Sequence, residues 1–476
     1  MRTFFILLLW CCTQTGFAQT STVVFTPVAE YPYPAPFTAY TAHFDKLHRP
    51  YIYTANKEYG VIIFDFSDLQ NPTPVRTFTT QQFQSLKPTD LVQQGNYLYV
   101  ALGAFGGLSP QPAGVAIIDI SNPANAAIVG QWSDAAFDKG CAAIRVGGDF
   151  AYLGAFERGV IIVDVSKPAM PAYRSHVELD LNWPVMPGLF NVPHARGFAL
   201  RGNELWTCFD AGGLRLVDIS DKNAPFESAK YINTDLTDAA APAYNTATIV
   251  GNYLYAAVDY CGIDVVDISA LTLPENAGWA NPWNCTPANW DGRPGHTNQV
   301  TTACHDSLLF ASGADSEIVA FSITDPAQPK LIGQFGALRD SVATWGVDAN
   351  DSLVVLAQVW NPLNTPYLAK HGGIRLLRWS CPAGTSSVQN PEPAIVSIAP
   401  NPVSDRLQIR FNSSEKGTAE CLLRDMQGRL VRRFPIDLSA VSEPVFQLDM
   451  AGLPRGVYLL SLIGWEQTGS KLVVKM

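Results

Sequence analysis

The stretch GVAIIDISNP, residues 114–123, decides how this chain folds. A glycine opens it, four β-forming residues follow, an aspartate and an isoleucine close the run, and Ser-Asn-Pro breaks it. The same order returns as GVIIFDFS from Gly60, GVIIVDVSKP from Gly159, GLRLVDIS from Gly213 and GIDVVDIS from Gly262. Two looser copies come later: EIVAFSITDP from Glu317, with Ser322 in the aspartate's place, and GIRLLRWSCP from Gly373, with Arg378 there. Seven copies at a spacing of roughly 45–56 residues are the signature of propeller blades.

Each unit has a second element upstream. Gly95-Asn96, Gly148-Asp149, Gly202-Asn203 and Gly251-Asn252 precede alternating strands that open mostly on aromatics, and such pairs accept the positive φ of two-residue hairpin turns. A unit therefore reads as strand A, a tight turn, strand B, a loop, strand C, a short proline turn and strand D. Strand C is apolar almost throughout, as burial between neighbouring blades requires. The seventh copy has no strand D, because the chain leaves the pattern after Pro382. Near the start, Val23-Val-Phe-Thr-Pro-Val-Ala-Glu-Tyr31 resembles one. The expectation is an all-β, seven-bladed propeller whose last blade is completed by residues around 22–32, a closure that protects sheet edges. The repeated Asp65, Asp119, Asp164, Asp218 and Asp267 are expected to accept backbone hydrogen bonds at strand ends, not to bind metal.

The pattern Gly-(Leu/Val)-x-Ile-Val-Asp-(Ile/Val)-Ser-x-Pro resembles the LVIVD repeat of bacterial surface and secreted propellers, over about residues 50–382. That resemblance specifies a fold and no single activity.

Composition agrees with an exported, turn-rich β-protein. Charged residues make up 16% and hydrophobic ones 47%, with 36 Gly and 34 Pro among 476 residues. A net charge of −10 and a pI near 5.2 argue against a nucleic-acid partner. Residues 1–18 read as a signal peptide, with Arg2, an apolar Phe4–Cys12 run and a small-residue cleavage site ending at Ala18. That run is too short to span a membrane, and no other stretch is apolar enough to do so. The residues before Cys11 and Cys12 argue against lipidation. Cleavage leaves seven cysteines, an odd number without CxxC pairs. Cys261 and Cys285, both assigned to loops on one face, are expected to form a disulfide.

The propeller is assigned to residues 19–382, a Pro/Ser/Gly-rich linker to 383–394, and a small β-sandwich to 395–476. Within the last, Pro400-Asn401-Pro402, Asp425 with Gly428 and Arg429, a Leu448–Tyr458 segment containing Gly456, and Lys471 to Lys475 occur in order. This series resembles the type A sorting domain of the type IX secretion system. The resemblance implies passage through that machinery, removal of the domain, and a body attached to the outer-membrane surface or released.

A ligand site is expected where loops are long. B–C and D–A connections share one face of a propeller, and the long segments 103–113, 357–372, 133–143, 180–195 and about 272–298 all belong to them. The last carries Trp279, Trp283 and Trp290, which suit a glycan or protein ligand, although they could equally pin the loop. Just before strand A, the repeat places Thr89, Arg196, Asn245, Gln299 and Thr344 around the channel mouth, beside His194 and Trp345. This ring, without carboxylates, could bind a ligand or simply satisfy the channel's backbone. No catalytic motif, metal-ligand pattern or cofactor fingerprint is present. The leading expectation is a non-catalytic binding or adhesion module. A hydrolase or lyase centred in the channel, and a structural spacer, are the alternatives.

Overall fold

The computed structural model describes residues 22–103, 110–184, 192–236, 243–271, 273–281, 296–313, 317–336, 341–361, 368–382, 395–411, 418–425, 430–437, 445–463 and 470–475. Residues 1–18, expected as a signal peptide, and 383–394, expected as a linker, lie outside them, as do Trp283, Cys285, Trp290, Gly428 and Arg429. Two units divide the chain, Met1–Ser386 and Ser387–Met476.

The first unit contains seven four-stranded antiparallel sheets. Blade 1 shows the plan: strand A is Ala39–Phe44, B is Tyr51–Asn56, C is Gly60–Asp65 and D is Thr73–Phe78. Blades 2 to 6 repeat it within residues 87–134, 143–177, 197–231, 244–280 and 297–335. In blade 7, the strands Thr344–Ala349, Leu353–Asn361 and Ala369–Arg378 are joined by Thr26–Tyr33 from the other end of the chain. The N-terminal strand is the missing strand D, and the ring is closed.

The repeated motif explains itself chemically. At the end of strand C, Asp65, Asp119, Asp164, Asp218 and Asp267 each accept the backbone N–H two residues on, from Ser67, Ser121, Ser166, Ser220 and Ser269, at 2.8–3.0 Å. That bond caps the strand and starts the turn to strand D. At the other end, the glycine is required by close approach. A Cβ on Gly60 would stand 1.9 Å from the Phe78 carbonyl oxygen, and one on Gly213 2.2 Å from that of Tyr231. Both also have positive φ, 87° and 76°.

Blade 6 breaks this rule at the seam. Glu317 stands where most other blades have glycine, at φ 48°, with only 2% of its surface exposed. Its carboxylate is bound by Arg375 Nη1 and by Gln358 Nε2 at 3.1 Å, both from blade 7. Arg375 Nη2 reaches Glu30 Oε1 on the N-terminal strand at 2.5 Å. A Cys304–Cys381 disulfide, Cα–Cα 5.6 Å, joins the same two blades, and Val23 N donates to Ile332 O in blade 6. The seam is therefore held by a sheet, a buried ion network and a covalent bond.

Arg375 shares its position, third in strand C, with Arg215 and Asp264; four other blades have Ile62, Ala116, Ile161 and Val319 there. Arg215 is fully buried, paired with Glu227 at 2.6 Å and donating to the carbonyls of Asp180 and Trp183. It anchors the start of a long D–A connection. Asp264 has no cation beside it among the described residues; Asn233, Asn276 and Tyr244 donate to it at 2.7–3.0 Å. Burial pushes its carboxyl up to about 6, against the lowering effect of those hydrogen bonds. A folded-state pKa above the unfolded one means this group destabilises the fold increasingly as pH rises from the unfolded value through about 6. Asp264→Asn should therefore gain stability relative to the parent between pH 4.5 and 7.5, by at most about 3 kcal/mol. Thermal unfolding of both proteins at the two pH values checks it; a constant difference would contradict the assignment.

The second unit has two antiparallel sheets, one of three strands and one of four. Leu407, Ile409 and Leu448 from the first share a core with Leu423, Tyr458, Leu460 and Val473 from the second.

Candidate functional site

The B–C and D–A connections do meet on one face. Gln111, between strands B and C of blade 2, bridges to Lys139, between blades 2 and 3. Lys139 lies 3.6 Å from Glu157 in the next B–C turn, and Arg158 of that turn lies 3.9 Å from Asp138. His194 sits between two such turns, with Nε2 3.7 Å from Glu157 and Nδ1 3.4 Å from Asp210. His296, at the equivalent place two blades on, holds Asp259 at 2.8 Å. Burial alone would raise the Asp259 carboxyl, yet His296, Arg196 and Asn245 hold it below its usual range. Neighbouring connections thus interlock into a charged surface.

Two boundaries of the loop assignment need correction. Trp279 is not in the insertion: it lies on strand D of blade 5, Glu275–Ala280, opposite Asp264. The residue is 43% exposed, and its indole N–H donates to the Cys261 carbonyl at 2.5 Å. Within 357–372, residues 357–361 and 369–372 are strand, since Leu353–Asn361 and Ala369–Arg378 run on as a ladder to Asn361↔Ala369. Cys261 is disulfide-bonded, while Cys285, its expected partner, falls outside the described residues.

The polar ring also shifts. In blades 1, 2, 5, 6 and 7, strand A carries one more residue than strand B at the channel mouth, a β-bulge. Counted back from the paired start of strand B, Asn298 and Trp345, not Gln299 and Thr344, stand level with Thr89, Arg196 and Asn245, while Gln299 lines the mouth one residue further along. Thr344 is buried and pairs with Gln358. Trp345 lines the mouth and stacks on Tyr40 across the seam, ring centroids 5.7 Å apart.

Much of the ring's bonding capacity stitches blades together. Thr89 Oγ1 donates to Cys141 O at 2.7 Å, Asn245 Nδ2 to Thr297 O at 2.8 Å and Asn298 Nδ2 to Trp345 O at 3.1 Å. Gln299 accepts from Val347 N at 2.9 Å. Arg196 lines the mouth 4.0 Å from Asp210. The expectation of a mouth without carboxylates fails too: Asp90 lines it, accepting from Ile144 N at 3.0 Å and facing Arg145 at 3.5 Å.

Sequence reasoning missed a second ring, three residues further along strand A, where His43, Arg145, Thr248, Thr301 and Asp348 line a wider cavity of about 500 Å³. Extending the repeat three residues along strand A would have found it. Among the described residues, no group of three or more His, Cys, Asp or Glu is arranged to hold a metal ion.

In the C-terminal unit the motif residues come together. Asn401 Oδ1 accepts from Val474 N at 2.8 Å. Asp425 pairs with Tyr458, and Gly456 with Lys475, while Lys471 lies opposite Leu460. The Tyr458 hydroxyl donates to Pro454 O at 2.7 Å.

Residues 88–134, 141–178, 194–233 and 247–279, in blades 2 to 5, match the LVIVD repeat. Residues 397–475 match the secretion system C-terminal sorting domain. The chain is an LVIVD-repeat propeller with a type IX secretion sorting domain. No helix among the described residues is long and apolar enough to cross a membrane. No curated protein matches the chain. Among solved structures it is similar to a chain of the mitotic checkpoint complex, at 11% identity over 80% of this chain and 99% of that one, with a TM-score of 0.50. The Cps50 (Swd1) β-propeller domain of Myceliophteria thermophila is 13% identical over 74% and 98%, TM-score 0.48. PorZ, a surface component of the type IX secretion system of Porphyromonas gingivalis, is 11% identical over 90% and 64%, TM-score 0.39. At these identities the likeness concerns the fold alone.

Proposed function

We propose that this exported LVIVD propeller is a non-catalytic binding or adhesion module that takes a glycan or protein partner on its B–C/D–A face. The observation that carries the reading is the interlocking of Gln111, Lys139, Glu157, His194 and Asp210 into a continuous charged surface. The insertion after Ala280 belongs in sequence to a D–A connection and carries Trp283 and Trp290, residue types that anchor glycans. A Cys261–Cys285 disulfide would tether it. Handling by the type IX machinery would follow signal cleavage after Ala18, with the body then anchored or released.

A hydrolase or lyase centred in the channel is the competing reading. Its best residues on the channel wall are His43 and Asp348, 3.3 Å apart, although Asp348 already accepts from Phe44 N at 3.0 Å. The test is a glycan- and protein-array screen with the exported chain and a Trp283→Ala/Trp290→Ala variant. Saturable binding that weakens at least about tenfold in the variant is expected, as for loss of aromatic anchors. Silence from a folded chain would remove the proposal for the classes tested.

A further inference from the structure

The opposite, A–B end of the channel has features that the interlocked face does not explain. Most A–B turns are tight, but blade 1 replaces its turn with the loop 45–50. A buried Asp45 shapes it, accepting from Leu47 N at 2.6 Å, from Arg49 and from the Tyr53 hydroxyl at 2.5 Å. Arg49 also donates to Ile120 O in blade 2, and Lys46 N donates to Gln93 Oε1 at 2.8 Å. The loop is thus fixed to two blades, and it carries Lys46 to the wall of the cavity of about 500 Å³. That volume lies within the usual range for small-ligand sites.

The chemistry of the cavity wall is uneven. Lys46 and Arg145 line the side of blades 1 and 3. The two carboxylates nearby are already engaged: Asp348 accepts from Phe44 N and lies 3.3 Å from His43, and Asp90 is taken by Ile144 N and Arg145. Among the described residues the Lys46 ammonium has no hydrogen-bond or ion-pair partner. Desolvation by the wall, and then Arg145, push it below its ordinary pKa, with Asp348 acting the other way. Two cations sharing a cavity repel, and an anion between them relieves that cost. Across the channel, Thr248 and Thr301 present hydroxyls without protein partners among the described residues, beside apolar Leu200 and Ile249. A ligand complementary to both sides has a carboxylate at one end and hydroxyls on a compact body.

We infer that this end of the channel binds a small acidic sugar of the hexuronate class, its carboxylate between Lys46 and Arg145 and its hydroxyls toward Thr248 and Thr301. The site stands apart from the B–C/D–A face, so failure of either proposal leaves the other intact. The test is calorimetric or saturation-transfer titration of the full exported chain with glucuronate and galacturonate, and with glucose and inorganic sulfate as controls. Uronate binding should weaken at least about tenfold in Lys46→Ala, as for a lost charge-assisted hydrogen bond, and further in Lys46→Glu. Glucose should bind more weakly still. Lys46 is exposed and outside the core, so unchanged thermal unfolding of both variants verifies their fold. No uronate binding by about 10 mM, binding unaffected in Lys46→Ala, or sulfate binding as tight as uronate would each overturn the proposal.

Discussion

Arg375→Ala will cost the propeller about 3–5 kcal/mol, the usual penalty for stranding a buried charge. The substitution takes the guanidinium away from the Glu317 carboxylate, 2% exposed and also held by Gln358, and removes the partner of Glu30 on the N-terminal strand. Both losses fall on the seam that closes the ring, so a lower denaturant midpoint should come with earlier protease cleavage near residues 26–33. The rescue is specific. Glu317 occupies a glycine position at φ 48°, so Glu317→Gly added to Arg375→Ala removes the stranded charge and the backbone strain together. The double variant should regain most of the lost stability. If it is no better than Arg375→Ala alone, the ion network is not what holds the seam.

Gly213→Ala is the second large effect, expected at about 2–4 kcal/mol from overpacking plus left-handed strain. The new methyl would stand 2.2 Å from the Tyr231 carbonyl oxygen, so strands C and D of blade 4 must part. Gly202→Ala separates the two causes. Gly202 has φ 57°, but a methyl group added there would meet nothing within 4 Å, so only the strain remains, about 1 kcal/mol. Denaturant unfolding of the two variants should rank them clearly; equal losses would mean that close approach contributes nothing.

Legibility followed how local each signal was. Asp164 and its four counterparts bond two residues along the chain, so their role could be read from the repeat itself. The N-terminal strand was legible because its absence left blade 7 one strand short. The channel was harder. Blades 6 and 7 lack the Gly-Asn pair that fixes the count at the A–B turns of blades 2 and 5, so Gln299 and Thr344 were assigned to places that Asn298 and Trp345 occupy. Arg145 and Lys46 were missed for different reasons: one belongs to a ring further along the strand, and the other to a loop where a two-residue turn was expected. The seam's ion network joins residues 30, 317 and 375, a pairing that only ring closure brings about.

The Cys304–Cys381 bond has a mechanical meaning. The chain leaves the propeller for its sorting tail just past Cys381, so any pull on the tail enters there. Without the bond, the load would peel strand C of blade 7 from its end, one hydrogen bond at a time, starting at Arg378 and its partners Leu353 and Thr26. With it, the load passes covalently into blade 6 at Cys304 and must shear two blades together. The tether point is clamped where a tugged propeller would otherwise unzip.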